Sequence, residues 1–239
     1  MIEDLTVTHT ITSYECGANS LMKPETLPLL CQEIAEQHAS QHNFGYEWAM
    51  ENHVFWAETR AELEFIRLPK WKEVVTLRTN TGMSGSVAAR RFVEMTNAQG
   101  EVLAKADLQW VLADLKTRRL VPPRRLIAAI AEMRTPYVTP AELPEFPGAP
   151  AATASLSVTQ REIDFNGHVN NASYLIWALD TLPESLRPSG IPRRVSLRFR
   201  KETLLGEQVS LAHYVSGPAT SHVISSGGVT RAEVTVLWA

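Results

Sequence analysis

The segment Asp164-Phe165-Asn166-Gly167-His168-Val169-Asn170-Asn171 gathers a carboxylate, three amides and an imidazole around one glycine. Directly after it runs Ala172-Ser173-Tyr174-Leu175-Ile176-Trp177-Ala178-Leu179, apolar enough for a buried helix. Groups that titrate or hydrogen-bond a substrate are therefore held at the mouth of an apolar element, which suits chemistry on a polar group attached to a greasy tail. Asp164, Asn166 and His168 stand at alternate positions, so in an extended segment they point the same way. A plainer reading accounts for part of the pattern. Asn170 or Asn171 can cap the helix, Gly167 can serve a tight turn, and His168 can be a satisfied, partly buried histidine. Capping explains one asparagine, but not three polar groups at alternate positions.

The motif does not stand alone. Phe199-Arg200-Lys201-Glu202-Thr203 follows it, and the first half carries Trp71-Lys72-Glu73-Val74-Val75 and Trp110-Val111 ahead of Lys116-Thr117-Arg118-Arg119-Leu120. In this order, from about Pro24 to the end, these segments resemble the acyl-acyl carrier protein thioesterases, the plant and bacterial terminators of fatty-acyl chains. The resemblance implies hydrolysis of a fatty acyl-acyl carrier protein thioester with no cofactor or metal, and a first half that binds the acyl chain. It implies Asp164, Asn166, His168 and Glu202 as the working set, with Asn170, Asn171, Thr203 and Trp56 as substrate-binding candidates. Plant members typically carry cysteine where this chain has Thr203, so a thiolate nucleophile is absent there. An unactivated threonine hydroxyl is a poor substitute, which favours direct attack by water.

Each residue type suits such a reaction. An imidazole titrates near neutrality, so His168 can orient or deprotonate a nucleophile. Asp164 can fix the ring or position the segment. Asn166 can donate to the thioester oxygen, where negative charge grows in the transition state. Backbone N–H groups at the following helix start favour the same charge. Glu202 is harder to place. On a strand where Val195, Leu197 and Phe199 share one face, strict alternation puts Glu202 on the outer face with Arg198 and Arg200. A bulge is needed to turn it inward.

The elements that must position these groups form two similar series. The first half opens with a strand at Thr6–Ile11. An amphipathic helix follows through Leu27, Leu30, Cys31, Ile34, Ala35 and His38, then strands at 54–66, 73–79, 87–96 and 102–113. The breaks fall at Leu68-Pro69, Thr81-Gly82 and Asn97-Ala98-Gln99-Gly100. The second half repeats the order, with a strand at 156–161, a helix at 171–182 ended by Pro183, and strands at 193–203, 207–216, 220–225 and 229–238. Glu73–Leu77 echoes Glu207–Leu211, and Ala106–Trp110 echoes Ala232–Val236, at nearly one offset. The expected fold is α+β: two tandem hotdog domains, each an antiparallel sheet wrapped around a central helix. The domains are 1–133, the acyl-binding half, and 155–239, the catalytic half. Between them, 134–154 carries Pro136, Pro140, Pro144, Pro147 and Pro150, an extended connector preceded by a short helix at 123–133. The first half has no D-x-N-x-H ahead of its helix. Its aromatic residues Phe44, Tyr46, Trp48, Phe55 and Trp56 are either core or acyl-tunnel lining.

Composition bounds the rest. The 239 residues, 44% hydrophobic and 21% charged, describe an ordinary globular protein. A net charge of −3 argues against nucleic-acid binding. No apolar run approaches the length of a membrane span, and Met1-Ile2-Glu3-Asp4 shows no secretory or transit signal, so a bacterial cytoplasmic location is expected. Cys16 and Cys31 have no metal-ligand spacing. Acyl carrier protein is acidic, so docking calls for basic groups. The candidates are Arg118, Arg119, Arg193, Arg194, Arg198 and Arg200, with Arg124, Arg125 and Lys201 in reserve. Coenzyme A shares the phosphopantetheine arm, so an acyl-CoA thioesterase is the alternative, followed by a non-catalytic acyl-binding protein. A monomer or homodimer is expected.

Overall fold

The computed structural model describes residues 2–125, 127, 130, 138, 144–146 and 148–239. The chain divides into two compact units, Met1–Thr139 and Pro140–Ala239. The division falls inside the expected 134–154 connector, about half of which lies outside the described residues. More than half of the expected 123–133 helix also lies outside the described residues, and Pro123–Arg125 form a short 3-10 turn.

The first unit runs β1 (Leu5–Thr10), α1 (Thr26–Gln41), α2 (Tyr46–Glu51), β2 (Val54–Phe65), β3 (Val74–Ser84), β4 (Ala88–Asn97), β5 (Val102–Asp114) and the short β6 (Leu120–Val121). Every pairing is antiparallel, and the strand order is β1-β3-β4-β5-β2, with β6 beside β5. The second unit runs β7 (Ala152–Ser157), α3 (Asn171–Asp180), β8 (Pro192–Phe199), β9 (Gln208–Ser216), β10 (Ala219–Ser226) and β11 (Val229–Trp238). Its order, β7-β9-β10-β11-β8, is the same arrangement again, also antiparallel. Each unit is the expected α+β hotdog, with α1 packed against β1 and β3, and α3 against β11.

Periodicity explains both helices. Leu27, Cys31, Ile34, Ala35 and His38 make a buried stripe along α1. In α3, Ala172, Ser173, Tyr174, Leu175, Trp177, Ala178 and Leu179 are all buried, the pattern of a helix surrounded by core. Among the described residues, no helix is long and apolar enough to cross a membrane, and no group of three or more His, Cys, Asp or Glu could hold a metal ion.

Four expectations need correction. Thr81-Gly82 is no break: β3 continues to Ser84, with Gly82 paired to Arg90, and the turn comes at Gly85, whose φ is 65°. The ladder carries the glycine, and the Thr81 hydroxyl donates to the Arg90 carbonyl. The strand expected at 156–161 lies earlier, at Ala152–Ser157, and begins inside the end of the expected connector. Gln160–Glu162 instead form a 3-10 turn closed by Thr159 and Glu162. The strand expected to reach residue 203 stops at Phe199, because the Arg200 and Lys201 amides both donate to the Arg231 carbonyl, at 2.8 and 3.2 Å. Two residues opposite one is a bulge, and it ends the alternation. Finally, α2 was not anticipated. Its six residues are too few to show a helical period, and the Glu36 carboxylate accepts the Tyr46 amide at its start.

Both cores contain buried imidazoles. His38 bonds the Glu3 carbonyl and accepts from Arg91 at Nδ1. His213 and His222 face each other across β9 and β10, their Nδ1 atoms 2.7 Å apart, so one donates to the other. Burial holds His38 down at about 4 and His222 at about 3, and lowers His213. The folded state therefore refuses protons that the unfolded chain takes up near 6.5. That stability is fully present above pH 6.5 and drains away as pH falls toward 4. Burial pushes Asp107 up to about 6, which favours the folded state over part of the same range, but this is one carboxyl against three imidazoles. Melting temperature should fall steadily from pH 7 to 4, and His222→Phe should flatten that slope. A wild-type melting temperature unchanged between pH 7 and 5 would contradict this account.

Candidate active site

The segment ahead of α3 is a closed loop. Ile163 bridges Val169, the Asp164 amide donates to the His168 carbonyl at 2.9 Å, and the Gly167 amide donates to the Asp164 carbonyl at 3.0 Å. Gly167 has a φ of 79°, a conformation that costs glycine little. The Asp164 side chain accepts the Asn166 amide at 2.8 Å, an Asx turn that shapes the loop. Asn170 is the helix N-cap, its Oδ1 taking the Ala172 amide at 2.9 Å, and Asn171 is the first helical residue. Asn166 is exposed, while Asp164 and His168 are half-buried.

Two segments meet here. The Val169 amide donates to the Thr203 carbonyl at 2.9 Å. The residues just before each of these, His168 and Glu202, stand with Nε2 and Oε2 3.3 Å apart and side chains 31% and 39% exposed. Glu202 lies past the bulge, which is why it reaches His168 despite its expected place on the outer face. Thr203 turns the other way. It is fully buried, and its Oγ1 accepts the Tyr174 hydroxyl of α3 at 2.9 Å. Burial, opposed by that bond, raises the Tyr174 phenol above its ordinary range. An imidazole and a carboxylate in contact, both open to solvent, can bind and deprotonate a water molecule, and the exposed Asn166 stands two residues before the imidazole in the same loop.

Sequence reasoning missed the residues that hold this geometry. Arg231 of β11 donates to the Glu202 carbonyl and to the Glu207 carboxylate, at 3.0 and 2.8 Å. No local pattern signals either contact, because both partners lie on other elements. Other expected residues fall elsewhere. Trp56 donates from its indole to the Phe44 carbonyl and packs with Phe44, Met83, Ala89 and Ile127 in the first unit. Arg118 stacks over Phe55 at 4.5 Å. Arg193 and Arg194 are half-buried on β8, and Arg119 and Arg198 are exposed. Arg200 bonds Glu233 at 2.9 Å.

The first unit contains the same frame without the chemistry. Cys16 bridges Met22, the Gly17 amide donates to the Leu21 carbonyl, and the Met22 amide donates to the Pro69 carbonyl at 2.8 Å. Thr12 and Glu15 close a 3-10 turn as Thr159 and Glu162 do. Ser20, with a φ of 61°, stands where Gly167 does. In this frame Gly17 occupies the place of Asp164, Leu21 that of His168, Leu68 that of Glu202 and Pro69 that of Thr203. Asn19 matches Asn166.

Two family models match the chain: the acyl-ACP thioesterase N-terminal domain over residues 4–129 and the C-terminal domain over 149–239. The chloroplastic oleoyl-acyl carrier protein thioesterase 2 of Arabidopsis thaliana is 29% identical over 211 residues, covering 80% of this chain and 58% of the relative. The chain thus spans little more than half the length of that relative. The structure of a putative oleoyl thioesterase from Lactobacillus plantarum superimposes with a TM-score of 0.86 at 25% identity, covering 99% of this chain and 96% of that one. The 12:0-ACP thioesterase from Umbellularia californica gives 0.87 at 23% identity, with 99% and 97% covered.

The Tyr174–Thr203 bond yields a stability test. Thr203→Val leaves a buried phenol without its acceptor, at a cost of about 1–3 kcal/mol. Adding Tyr174→Phe removes the stranded hydroxyl, so the double variant should recover most of that loss in chemical denaturation. A double variant less stable than the sum of the singles would refute the bond's role.

Proposed function

The chain belongs to the acyl-ACP thioesterase family, and we propose that it hydrolyses the thioester of fatty acyl-acyl carrier protein, releasing free fatty acid. The observation that carries the reading is the contact between His168 and Glu202, beside Asn166 and ahead of an apolar helix. Glu202 orients the imidazole, and His168 takes a proton from the attacking water. The Asn166 amide stabilises the oxyanion of the tetrahedral intermediate. As the C–S bond breaks, the imidazolium returns its proton to the departing phosphopantetheine thiolate, and His168 is ready for another turnover. Asp164 shapes the loop that presents Asn166 and His168. Asn170 caps the helix behind them.

Water is the attacking group in this scheme. The Thr203 hydroxyl is buried and engaged by Tyr174, which supports a packing role for it. The first unit, whose matching frame carries Leu21 and Leu68, binds the acyl chain, with Trp56 among its aromatic residues. Docking of the acidic carrier falls to exposed arginines, with Arg119 and Arg198 favoured over Arg200, whose charge Glu233 offsets.

His168→Ala should lower kcat on the order of 10²–10⁴-fold while leaving the melting temperature almost unchanged. A variant that melts far lower yet keeps its turnover would mark His168 as structural. Partner choice is a separate measurement. Hydrolysis of matched acyl-carrier and acyl-CoA substrates should favour the carrier, and the advantage should shrink as salt screens the arginines. A salt-independent preference for CoA would instead support an acyl-CoA thioesterase.

A further inference from the structure

We propose that Arg231 is a positioning residue that holds Glu202 against His168; the inference rests on the assignment of that pair to hydrolysis. Arg231 stands near the start of β11 with 10% of its side chain exposed. Nη1 donates to the Glu202 carbonyl at 3.0 Å, and Nη2 donates to Glu207 Oε2 at 2.8 Å. Its own carbonyl accepts the Arg200 and Lys201 amides that form the bulge. One residue thus turns the chain just before Glu202 and grips the main chain at Glu202 itself. The far anchor is also fixed, since Glu207 accepts the Leu204 amide at 3.3 Å. Burial would raise the Glu207 carboxyl, but the Ser226 hydroxyl and the Arg231 guanidinium outweigh it and leave the group below its ordinary range. Glu207 therefore stays charged and keeps the guanidinium in place.

The first unit separates this role from mere support of the fold. There the Ile66 and Arg67 amides both donate to the Leu103 carbonyl, at 2.8 and 3.2 Å, so the bulge is the same. Glu73 matches Glu207: it accepts the Lys70 amide at 2.9 Å and pairs with a guanidinium. That guanidinium belongs to Arg67, within the bulge, while the strand position matching Arg231 is the buried Leu103. The fold obtains its Glu–Arg pair without an arginine on this strand. The unit with leucines in place of His168 and Glu202 also has a leucine in place of Arg231. An arginine needed only for the sheet would have no reason to differ together with them.

The test compares Arg231→Lys, Glu207→Gln and Glu202→Gln, alone and combined, in the full-length enzyme. Lysine keeps the charge facing Glu207 but lacks the fork that serves two acceptors at once. Arg231→Lys should therefore hold its melting temperature while kcat falls about tenfold, KM changes less than about twofold, and the acid limb of the kcat–pH profile shifts. Glu207→Gln, which breaks the largely buried ion pair that holds the guanidinium, should melt lower and lose kcat in the same direction as Arg231→Lys. The deciding comparison is the double variant. In the Glu202→Gln background Arg231→Lys should cost no further kcat, because nothing remains to be positioned. Additive losses would overturn the inference, as would an Arg231→Lys enzyme with wild-type kcat and an unmoved pH profile. A fully active Glu202→Gln enzyme would overturn the hydrolytic assignment and this inference together. An impaired Glu202→Gln beside an unimpaired Arg231→Lys would overturn this inference alone.

Discussion

The hydrogen bond from the Val169 amide to the Thr203 carbonyl, 2.9 Å long, ties a loop to a turn far along the chain. The residues preceding its donor and acceptor are His168 and Glu202, so the spacing of the proposed reactive pair follows from a main-chain contact. A main-chain tether suits this task. It fixes two backbones without using either reactive side chain, which leaves both partly open to solvent. Side-chain contacts then refine the geometry. Asp164 closes the loop on one side, and on the other the bulge at Arg200 and Lys201 swings Glu202 off the outer face. Weakening the tether would spread His168 and Glu202 apart whatever their own chemistry, and catalytic geometry tolerates little such looseness.

The same tether occurs in the first unit, from the Met22 amide to the Pro69 carbonyl. Two copies of one frame in a single chain separate what the fold requires from what the chemistry requires. The Thr–Glu closed turns, a residue of positive φ at Ser20 or Gly167, and a carboxylate at Glu73 or Glu207 occur in both. These are demands of backbone geometry. Gly17, Leu21, Leu68 and Leu103 stand where the second unit has Asp164, His168, Glu202 and Arg231, and the frame tolerates the exchange. Asn19 complicates a simple division. Its side chain accepts the Leu21 amide at 3.1 Å, a turn-forming role open to any asparagine at this point. An amide at the place of Asn166 is therefore compatible with the frame alone, and the catalytic role proposed for it rests on the imidazole two residues on.

Much of this was legible in the sequence, for reasons that also mark the limit. The apolar stripe of α1 and the apolar run of α3 both stand out, and the polar residues before α3 are close enough in sequence to be seen as a group. The echo between Glu73–Leu77 and Glu207–Leu211 falls on β3 and β9, which hold the same place in the two strand orders. Features set by distant partners were hidden. Alternation places Glu202 on the wrong face because a bulge depends on the opposite strand, here on the carbonyl of Arg231. Arg231 itself looks like one more surface arginine until its two acceptors are brought near. Gly82 resembled a break because glycine is a common turn residue, yet β4 carries the ladder through it, pairing Gly82 with Arg90.

Thr203 shows how burial selects among chemistries that composition leaves open. Residues 202 and 203 are adjacent, so their side chains leave the backbone in different directions: Glu202 toward solvent and His168, Thr203 into the core. A base and a nucleophile must share one side of the chain to act on one carbonyl, and these two do not. Activating the threonine would also require giving up its bond to Tyr174, stranding a phenol in an apolar setting. Water meets neither obstacle. In the proposed scheme it approaches from the side on which the imidazole and carboxylate are exposed, and it needs no rearrangement of α3. Under the proposed hydrolysis, a buried, hydrogen-bonded threonine at a cysteine-type position is therefore a packing residue, and the His168–Glu202 pair is left to act on solvent.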